Sequence, residues 1–178
     1  MRCFLAVDIP EELKKTIIAA QQELTGLDTK LVEKENLHFT LKFLDEVDEG
    51  KMKDVVKRID TLKAAPFPVL LKGIGFFPSQ SFIRVVWIGA ESPEFLNLHV
   101  VVNDILSGLF EKEKPVPHLT LARVRSQSSK NELLEFQRRH ENRAFGEVKI
   151  SRISLKKSVM TQKGPLYENI KTWDFHDN

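Results

Sequence analysis

The chain has 178 residues, and its 27 lysines and arginines against 25 aspartates and glutamates give a formal charge of +2. The 42% apolar content predicts one folded domain, and the small charge argues against a large nucleic-acid-binding face. A single cysteine, Cys3, excludes an internal disulfide and a cysteine-based zinc site. With no apolar stretch of ~18 residues and no signal-peptide pattern, we expect a soluble cytoplasmic protein.

Hydrophobic periodicity predicts alternating strands and helices in the first half. "RCFLAVD" is typical of a strand, and "PEEL" opens a helix that runs to about Leu24. "LHFTLKFL" predicts a second strand, and "EGKMKDVVKRIDTL" has apolar residues at helical spacing. "PFPVLLKGIGFF" predicts a third strand, which ends at Pro78.

The same order of elements restarts in the second half. "FIRVVWIGA" and "PHLTLARV" predict strands, and "SPEFLNLHVVVNDILSGL" and "SSKNELLEFQRRH" predict the helices that follow them. "GEVKISRISLKKSVM" predicts one long alternating strand, and "PLYENIKTW" a final strand.

The two halves have nearly constant offsets between equivalent residues, which predicts an internal duplication. The offsets are 83, 80 and 79 positions for three pairs: Pro10 and Pro93, His38 and His118, Ile74 and Ile153. Two copies favour a pseudo-two-fold duplication over a solenoid, which needs three or more repeats. We expect a single bilobal domain with repeats at about 1–78 and 79–178. No glycine-rich loop follows the first strand, which argues against a nucleotide-binding doubly wound fold.

A short motif, His-x-Thr-Leu, occurs once in each half, as "HFTL" at 38–41 and "HLTL" at 118–121. Because side chains alternate across a strand, we expect His38, Thr40 and Lys42 on one face. Phe39, Leu41 and Phe43 are expected on the opposite, core-facing side.

The second motif repeats this arrangement with His118 and Thr120 on one face. If a two-fold axis relates the copies, both His-Thr pairs face one cleft. Paired histidines can exchange protons near neutral pH, and the threonine hydroxyls can donate to phosphate oxygens. Such a site needs neither a nucleophile nor a metal when the substrate is a strained cyclic phosphate.

Two other interpretations of the motifs remain open. The histidines could be structural, half-buried on their strands and bonded to their own threonines. They could also be metal ligands, although neither copy has the additional histidine or acid that a metal site requires.

The remaining histidines and the paired basic residues carry weaker signals. His99, His140 and His176 are expected to be solvated or packing residues. The arginines at 138–139 and the lysines at 156–157 are typical of solvated faces, although one of these lysines could reach a phosphate.

The paired motifs resemble those of the two-histidine phosphoesterase superfamily. Within it, the chain is similar to the RNA 2′,3′-cyclic phosphodiesterases, also called 2′-5′ RNA ligases. "MRCFLAVDIPEEL", "GIGFFPS", "RVVWIG" and "SLKKSVMTQKGPLYENI" extend the resemblance over nearly the whole chain. It implies an α+β fold: a bilobal duplication with two pseudo-two-fold-related antiparallel-rich sheets, flanked by helices, around a central cleft.

The resemblance also implies roles for five residues. His38 is the proton donor and His118 the proton acceptor, with neither metal nor cofactor. Thr40, Thr120 and Arg123 bind the phosphate. The implied reaction opens a terminal RNA 2′,3′-cyclic phosphate to leave a 2′-phosphate.

Arg123 conflicts with simple strand alternation. It lies five residues after His118, so a regular strand directs it to the opposite face. A bulge or the end of the strand would be required to bring it into the cleft. Phe43 occupies the equivalent position in the first copy, so the cleft is expected to be asymmetric.

Several alternatives for function stay open on the sequence. The same histidines could join RNA ends through a 2′-5′ linkage, or act on a small cyclic nucleotide or an ADP-ribose cyclic phosphate. A silent module that binds RNA ends would keep the phosphate-binding residues but need only one histidine or neither. The expected partners are RNA 3′ ends, tRNA fragments among them, and the expected state is a monomer that does not contact membranes.

Overall fold

The computed structural model describes residues 1–162 and 164–177. Within them the chain alternates strands and helices as the periodicity predicts, and all four predicted helices are confirmed. The elements are β1 Arg2–Asp8, α1 Glu11–Gln22, β2 Thr29–Leu31, a 3-10 turn Lys34–Asn36, β3 His38–Glu46, α2 Glu49–Ile59, β4 Phe67–Pro78, β5 Ile83–Glu91, α3 Pro93–Ile105, β6 His118–Val124, α4 Lys130–Arg139, β7 Ala144–Ile150, β8 Arg152–Thr161 and β9 Gly164–Asp174. The sequence patterns did not predict the short β2 and the 3-10 turn.

The prediction of one long strand over "GEVKISRISLKKSVM" was wrong. This segment forms two strands, β7 and β8, which pair with β4 and β1 in different parts of the sheet. The burial pattern changes where the chain crosses from one part of the sheet to the other: Val148 and Ile150 of β7 are buried on either side of exposed Lys149, whereas Ile153 to Lys156 of β8 are all buried. Continuous apolar alternation in the sequence concealed the break at Ser151.

The strands form one curled, antiparallel sheet in the order β7-β4-β5-β6-β3-β1-β8-β9, with β2 paired to β6. The α+β class is confirmed, although the two predicted sheets are joined into one. The join is a single residue pair, Phe39 opposite Leu119, which we call the junction. Outward from the junction, β3 is followed by β1 and β8, and β6 by β5 and β4. Our proposal of two repeats, about 1–78 and 79–178, accounts for this order.

The hydrophobic core lies between one face of this sheet and the helices. Phe39 and Leu119 at the junction are fully buried in it, together with Phe95 of α3 and Phe136 of α4. Cys3 is buried. No helix among the described residues is both long and apolar enough to cross a membrane. The opposite face of the sheet, which we call the open face, is left to form a cleft.

Candidate active site

The junction places the two histidine motifs side by side on the open face. Phe39 and Leu119 point into the core, so their neighbours in sequence point the other way. His38 and Thr40 on β3, and His118 and Thr120 on β6, are all partly exposed there. The fold therefore brings both predicted His-Thr pairs together on one surface.

A bulge in β6 resolves the conflict over Arg123. In the pairing with β5, Ala122 lies opposite Val86 and Thr120 opposite Trp87, which leaves Leu121 as an extra residue. Leu121 and Ala122 are both buried, and Arg123 is exposed. The extra residue shifts the alternation by one, so Arg123 shares the open face with His118.

The first motif has the same bulge, and it overturns the expected positions of Lys42 and Phe43. Leu5 of β1 lies opposite Lys42 and Ala6 opposite Thr40, so Leu41 is the extra residue. Lys42 therefore points into the core and is 2% exposed, whereas Phe43 lies on the open face and is 56% exposed. Simple alternation was wrong here because a bulge moves every later side chain to the other face.

Lys42 is a buried cation whose donors are satisfied. Its ammonium donates to Asn103 Oδ1 at 2.8 Å and to the Glu111 carbonyl at 2.7 Å, and Glu113 Oε2 lies 3.9 Å away. A buried charge is tolerated when it is paired and hydrogen-bonded in this way. Lys42 thus ties the strand of the first motif to the segment that leads into His118.

Hydrogen bonds to backbone carbonyls set the orientation of both catalytic candidates. His38 Nδ1 lies 2.6 Å from the Asn36 carbonyl oxygen, and His118 Nδ1 lies 2.6 Å from that of Val116. A carbonyl can only accept, so each Nδ1 carries a proton and each neutral ring presents an unprotonated Nε2. Nε2 of His38 accepts from the Thr40 hydroxyl at 2.9 Å.

Burial keeps both imidazoles neutral at physiological pH. It lowers the pKa of His38 to about 4; the charges of Lys156 and His118 lower this pKa too, while the hydrogen bond to Asn36 and the charge of Asp8 oppose them. Burial also lowers the pKa of His118, against its hydrogen bond to the Val116 carbonyl. The charge of His118 acts on the pKa of His38, so the two rings lie within electrostatic reach of each other.

Each histidine is held between two aromatic rings. The ring of His38 lies 5.0 Å from that of Phe4 and 5.3 Å, edge-on, from that of Tyr167. His118 has Phe77 at 4.8 Å and Trp87 at 5.7 Å. Sequence reasoning missed these four residues. Only Phe4 had a signal, the uninterrupted apolar run in β1, which is typical of a strand covered on both faces.

Glycine at position 75 allows the Trp87 ring to lie flat against the sheet. A Cβ at Gly75 would come within 2.1 Å of the indole, a distance that real contacts do not reach. A cavity of about 450 Å³ begins at Trp87 and at Gly89, which is the strand partner of His118. Neither histidine lines this cavity, which extends from Lys72 of β4 to Gln137 and Arg138 of α4.

Lys156 lies near His38, but a carboxylate and an amide occupy its ammonium. Nζ is 2.8 Å from Asp8 Oδ1 and donates to Asn169 Oδ1 at 2.8 Å. Asp8 is the strand partner of His38. Lys157, which follows Lys156 in the sequence, pairs with Glu168.

The other charged candidates lie outside the cleft. Arg138 pairs with Glu135 and Arg139 with Glu23 on the surface of α4. These interactions are typical of a solvated face.

The three remaining histidines are not part of the cleft pair. His99 is buried against Phe95, and burial lowers its pKa to about 4. His140 is buried and contacts the Glu23 carboxylate at 3.0 Å, and His176 is exposed. Among residues 1–162 and 164–177, no three histidine, cysteine, aspartate or glutamate side chains come together as a set of metal ligands.

An antiparallel sheet with two histidines on its open face, one in each repeated motif, suits an enzyme that transfers protons. The sequence pattern of the LigT-like phosphoesterases matches residues 7–87 and 93–167, and each matched range contains one motif. The chain belongs to this family of enzymes.

Relatives and solved structures agree with this assignment. The chain is 44% identical to the RNA 2′,3′-cyclic phosphodiesterase of Methanocaldococcus jannaschii, over 97% of this chain and 100% of that protein. It is 37% identical to the enzyme of the same name from Methanothermobacter thermautotrophicus, over 97% and 98%. The TT0787 structure of Thermus thermophilus superposes with a TM-score of 0.83 at 29% identity, covering 98% of each chain. The apo LigT structure of Escherichia coli has a TM-score of 0.80 at 22% identity and shows the shared fold, over 99% and 98%.

Proposed function

We propose that this protein hydrolyses the terminal 2′,3′-cyclic phosphate of RNA to a 2′-phosphate, with His38 and His118 as its acid–base pair. The observation that carries the proposal is the matched geometry of the two rings, each fixed by a carbonyl and each presenting Nε2 on one face. The names of the relatives support the substrate. A purely structural role predicts a hydrogen bond from each histidine to its own threonine; among the described residues His38 has this bond and His118 does not. A metal-ligand role lacks support, because no set of three metal-ligating side chains comes together among residues 1–162 and 164–177.

The proposed reaction needs only two proton transfers. Nε2 of His118 takes a proton from water as the water oxygen attacks phosphorus, and the bond from phosphorus to the 3′ oxygen breaks in line. His38 gives its Nε2 proton to that leaving oxygen, and a 2′-phosphate and a 3′-hydroxyl result. At the end of the cycle the proton on His118 returns to His38 through solvent.

Other residues of the open face stabilise the negative charge on the phosphate during this reaction. Arg123 offers a planar fork of donors to the equatorial oxygens, and the Thr120 hydroxyl adds a single donor. The Thr40 hydroxyl becomes a second one once His38 Nε2 is protonated and no longer accepts its hydrogen. Before substrate binds, burial holds the pKa of His38 at about 4. The negative phosphate raises that pKa on binding, and Asp8 acts in the same direction, which suits the donor role.

The wider setting of the enzyme is part of the same proposal. We propose that it acts as a cytoplasmic monomer on RNA 3′ ends, including those of tRNA fragments. Joining of RNA through a 2′-5′ linkage uses the same two histidines in reverse, by microscopic reversibility. An exposed aromatic ring such as that of Phe43 gives the terminal base a surface for stacking.

A turnover assay tests the proposal directly. The substrate is an oligoribonucleotide with a 2′,3′-cyclic phosphate end, incubated with and without EDTA and with and without a second RNA that has a 5′-hydroxyl. We expect a 2′-phosphate end by ³¹P NMR in every mixture. Recovery of a 3′-phosphate, of ligated RNA as the sole product, or of unchanged substrate would contradict the proposal.

A further inference from the structure

A second basic residue lies beside Arg123 on the open face. Past the junction, β6 leaves β3 and pairs with β2, where Lys30 is directly opposite Arg123. Side chains of directly opposed residues point to the same face, with Cβ atoms about 4.5–5.5 Å apart. Both residues are exposed. Lys30 is therefore one of the two residues directly opposite Arg123, and the other, Val85 of β5, carries no charge.

The ammonium of Lys30 lies at the rim of the cleft. Nζ is 3.6 Å from the position that a Cβ on Gly164 would take, at the start of β9. Tyr167 lies three residues further along β9. Its ring contacts His38, and the charge of Arg123 acts to lower the pKa of its hydroxyl. These contacts place Lys30, Arg123 and the histidines around one opening.

The positive charges of Lys30 and Arg123 are not neutralised by acidic side chains of the described residues. Among residues 1–162 and 164–177, neither Lys30 nor Arg123 forms an ion pair, whereas Lys156 and Lys157 each have a carboxylate partner. Like charges placed directly opposite each other in a sheet destabilise it. Such an arrangement fits a ligand that brings more than one negative charge.

We propose that Lys30 binds the phosphate on the 5′ side of the terminal nucleotide, while Arg123 binds the cyclic phosphate. The inference rests on the proposed function and adds a second phosphate subsite to it. The cyclic phosphate carries one negative charge, and the proposed function already assigns Arg123 and two threonine hydroxyls to bind it. In an RNA chain the next negative charge is one nucleotide away, and a lysine suits it because a flexible point charge needs no fixed fork.

Two mononucleotides that differ by one phosphate isolate this contact. The first is a nucleoside 2′,3′-cyclic phosphate with a free 5′-hydroxyl, and the second is the same molecule with a 5′-phosphate. We define the 5′-phosphate preference as kcat/KM for the second divided by kcat/KM for the first. In Lys30→Gln this preference falls about tenfold, as expected for the loss of one charge-assisted contact, and Lys30→Arg retains most of it.

Lys53→Gln is the matched control, since Lys53 is an exposed lysine of α2 without a described ion pair. It should leave the preference unchanged. An unchanged preference in Lys30→Gln, or an equal loss on both substrates, would overturn the second subsite while leaving the hydrolase intact. If the wild-type protein hydrolyses neither substrate nor a longer RNA, the proposed function itself fails.

A binding measurement checks the same contact without turnover. The probe is a fluorescent oligoribonucleotide that ends in a 2′-phosphate, titrated by anisotropy at several salt concentrations. The slope of log K against log salt should fall by about 0.7 in Lys30→Gln, the value for one phosphate of a single strand. The same slope in the variant and the wild type would count against the subsite.

Discussion

The two sides of the cleft keep the same backbone and differ in the side chains around it. Each has a histidine, a threonine two residues later and a one-residue bulge after that threonine. After the bulge, the first side has Lys42 in the core and Phe43 on the open face, and the second has Ala122 and Arg123. The shared part suits proton transfer and the differing part suits the rest of the substrate, so a duplicated unit can bind an asymmetric RNA end.

The strand beside each histidine differs as well. Asp8 lies opposite His38, and its carboxylate pairs with Lys156, whereas the residue opposite His118 is Gly89. A charge pair therefore acts on one imidazole but not on the other. This difference supports unequal roles for the two histidines.

The largest test asks whether both sides are needed. His38→Ala and His118→Ala should each lower kcat by about a hundred- to ten-thousandfold, because each removes one of two proton transfers. The double variant should lose little more than either single one, since the two act as a unit. Circular dichroism and thermal unfolding should show an intact fold, and His176→Ala should retain full activity. If one single variant kept most of its activity, its side of the cleft would have no catalytic role.

The stability of the fold at acid pH tests how strongly burial lowers the pKa of His38. His38 has a folded-state pKa of about 4, below the unfolded value near 6.5, so the unfolded state binds more protons between these values. Stability is therefore fully present above pH 6.5 and is lost as the pH falls towards 4, by about 3 kcal/mol for this residue.

Urea unfolding at several pH values measures this loss. In His38→Gln the dependence on pH in that window should be shallower, because the titrating group is gone. His176→Gln, at an exposed position, should behave as the wild type does. An unchanged dependence in His38→Gln would show that this histidine is not desolvated.

Arg123 has no charged counterpart on the first side, and its substitution tests the proposed binding of phosphate. Arg123→Ala should lower kcat/KM by about ten- to a hundredfold, because a charged hydrogen-bond donor to phosphate is lost. Arg123→Lys should recover only part of the rate, since a point charge cannot reproduce the fork. Steady-state kinetics on an RNA with a cyclic phosphate end measure both. Wild-type rates in the two variants would rule out phosphate binding by this side chain.

Lys42 is the residue of the first side that corresponds to Ala122, and its substitution tests the contribution of its buried hydrogen bonds. Lys42→Met leaves the Glu111 carbonyl without its donor and Asn103 Oδ1 with only the Glu113 backbone N–H at 3.4 Å, which should lower the free energy of unfolding by about 1–3 kcal/mol. Urea unfolding measures the change, and Lys53→Met on exposed α2 provides the control. A destabilisation no larger than that of the control would mean that these buried bonds add nothing to the fold.

Chelation should have the smallest effect, namely none. Because both proton transfers are assigned to imidazoles, EDTA should leave kcat/KM unchanged. The assay compares enzyme dialysed against EDTA with untreated enzyme. Loss of activity that zinc or manganese restores would require a metal in the mechanism, and the assignment of both proton transfers to the two histidines would have to be abandoned.

Much of this arrangement could be predicted from periodicity, because the helices and most strands have strong apolar patterns. The matching offsets of His38 and His118 indicated one shared site. The faces of Lys42 and Phe43 could not be predicted, because alternation contains no sign of a bulge. The parity conflict at Arg123 was the one local clue, and it appeared only once a role had been assigned to that residue.

Partners that are distant in sequence were the other part that could not be predicted. Tyr167 reaches His38 from a strand 129 positions away, and Lys30 meets Arg123 through a strand of three residues. Neither short strands nor cross-sheet neighbours leave a periodic pattern. Such contacts follow from the order of strands, which single-sequence reasoning does not supply.

The bulge after each threonine fixes which face of the sheet the later residues of that strand occupy. Odd and even positions of a strand act like a reading frame with two phases, and Leu121 is the position where the phase changes. Insertion of one more residue between Leu121 and Arg123, with the bulge unchanged, would turn Arg123 towards the helices. Deletion of Leu121 together with the bulge would instead leave Arg123 four positions after His118 and keep it on the open face. In these enzymes, a single-residue insertion at this place should therefore be rarer than a deletion that removes the bulge.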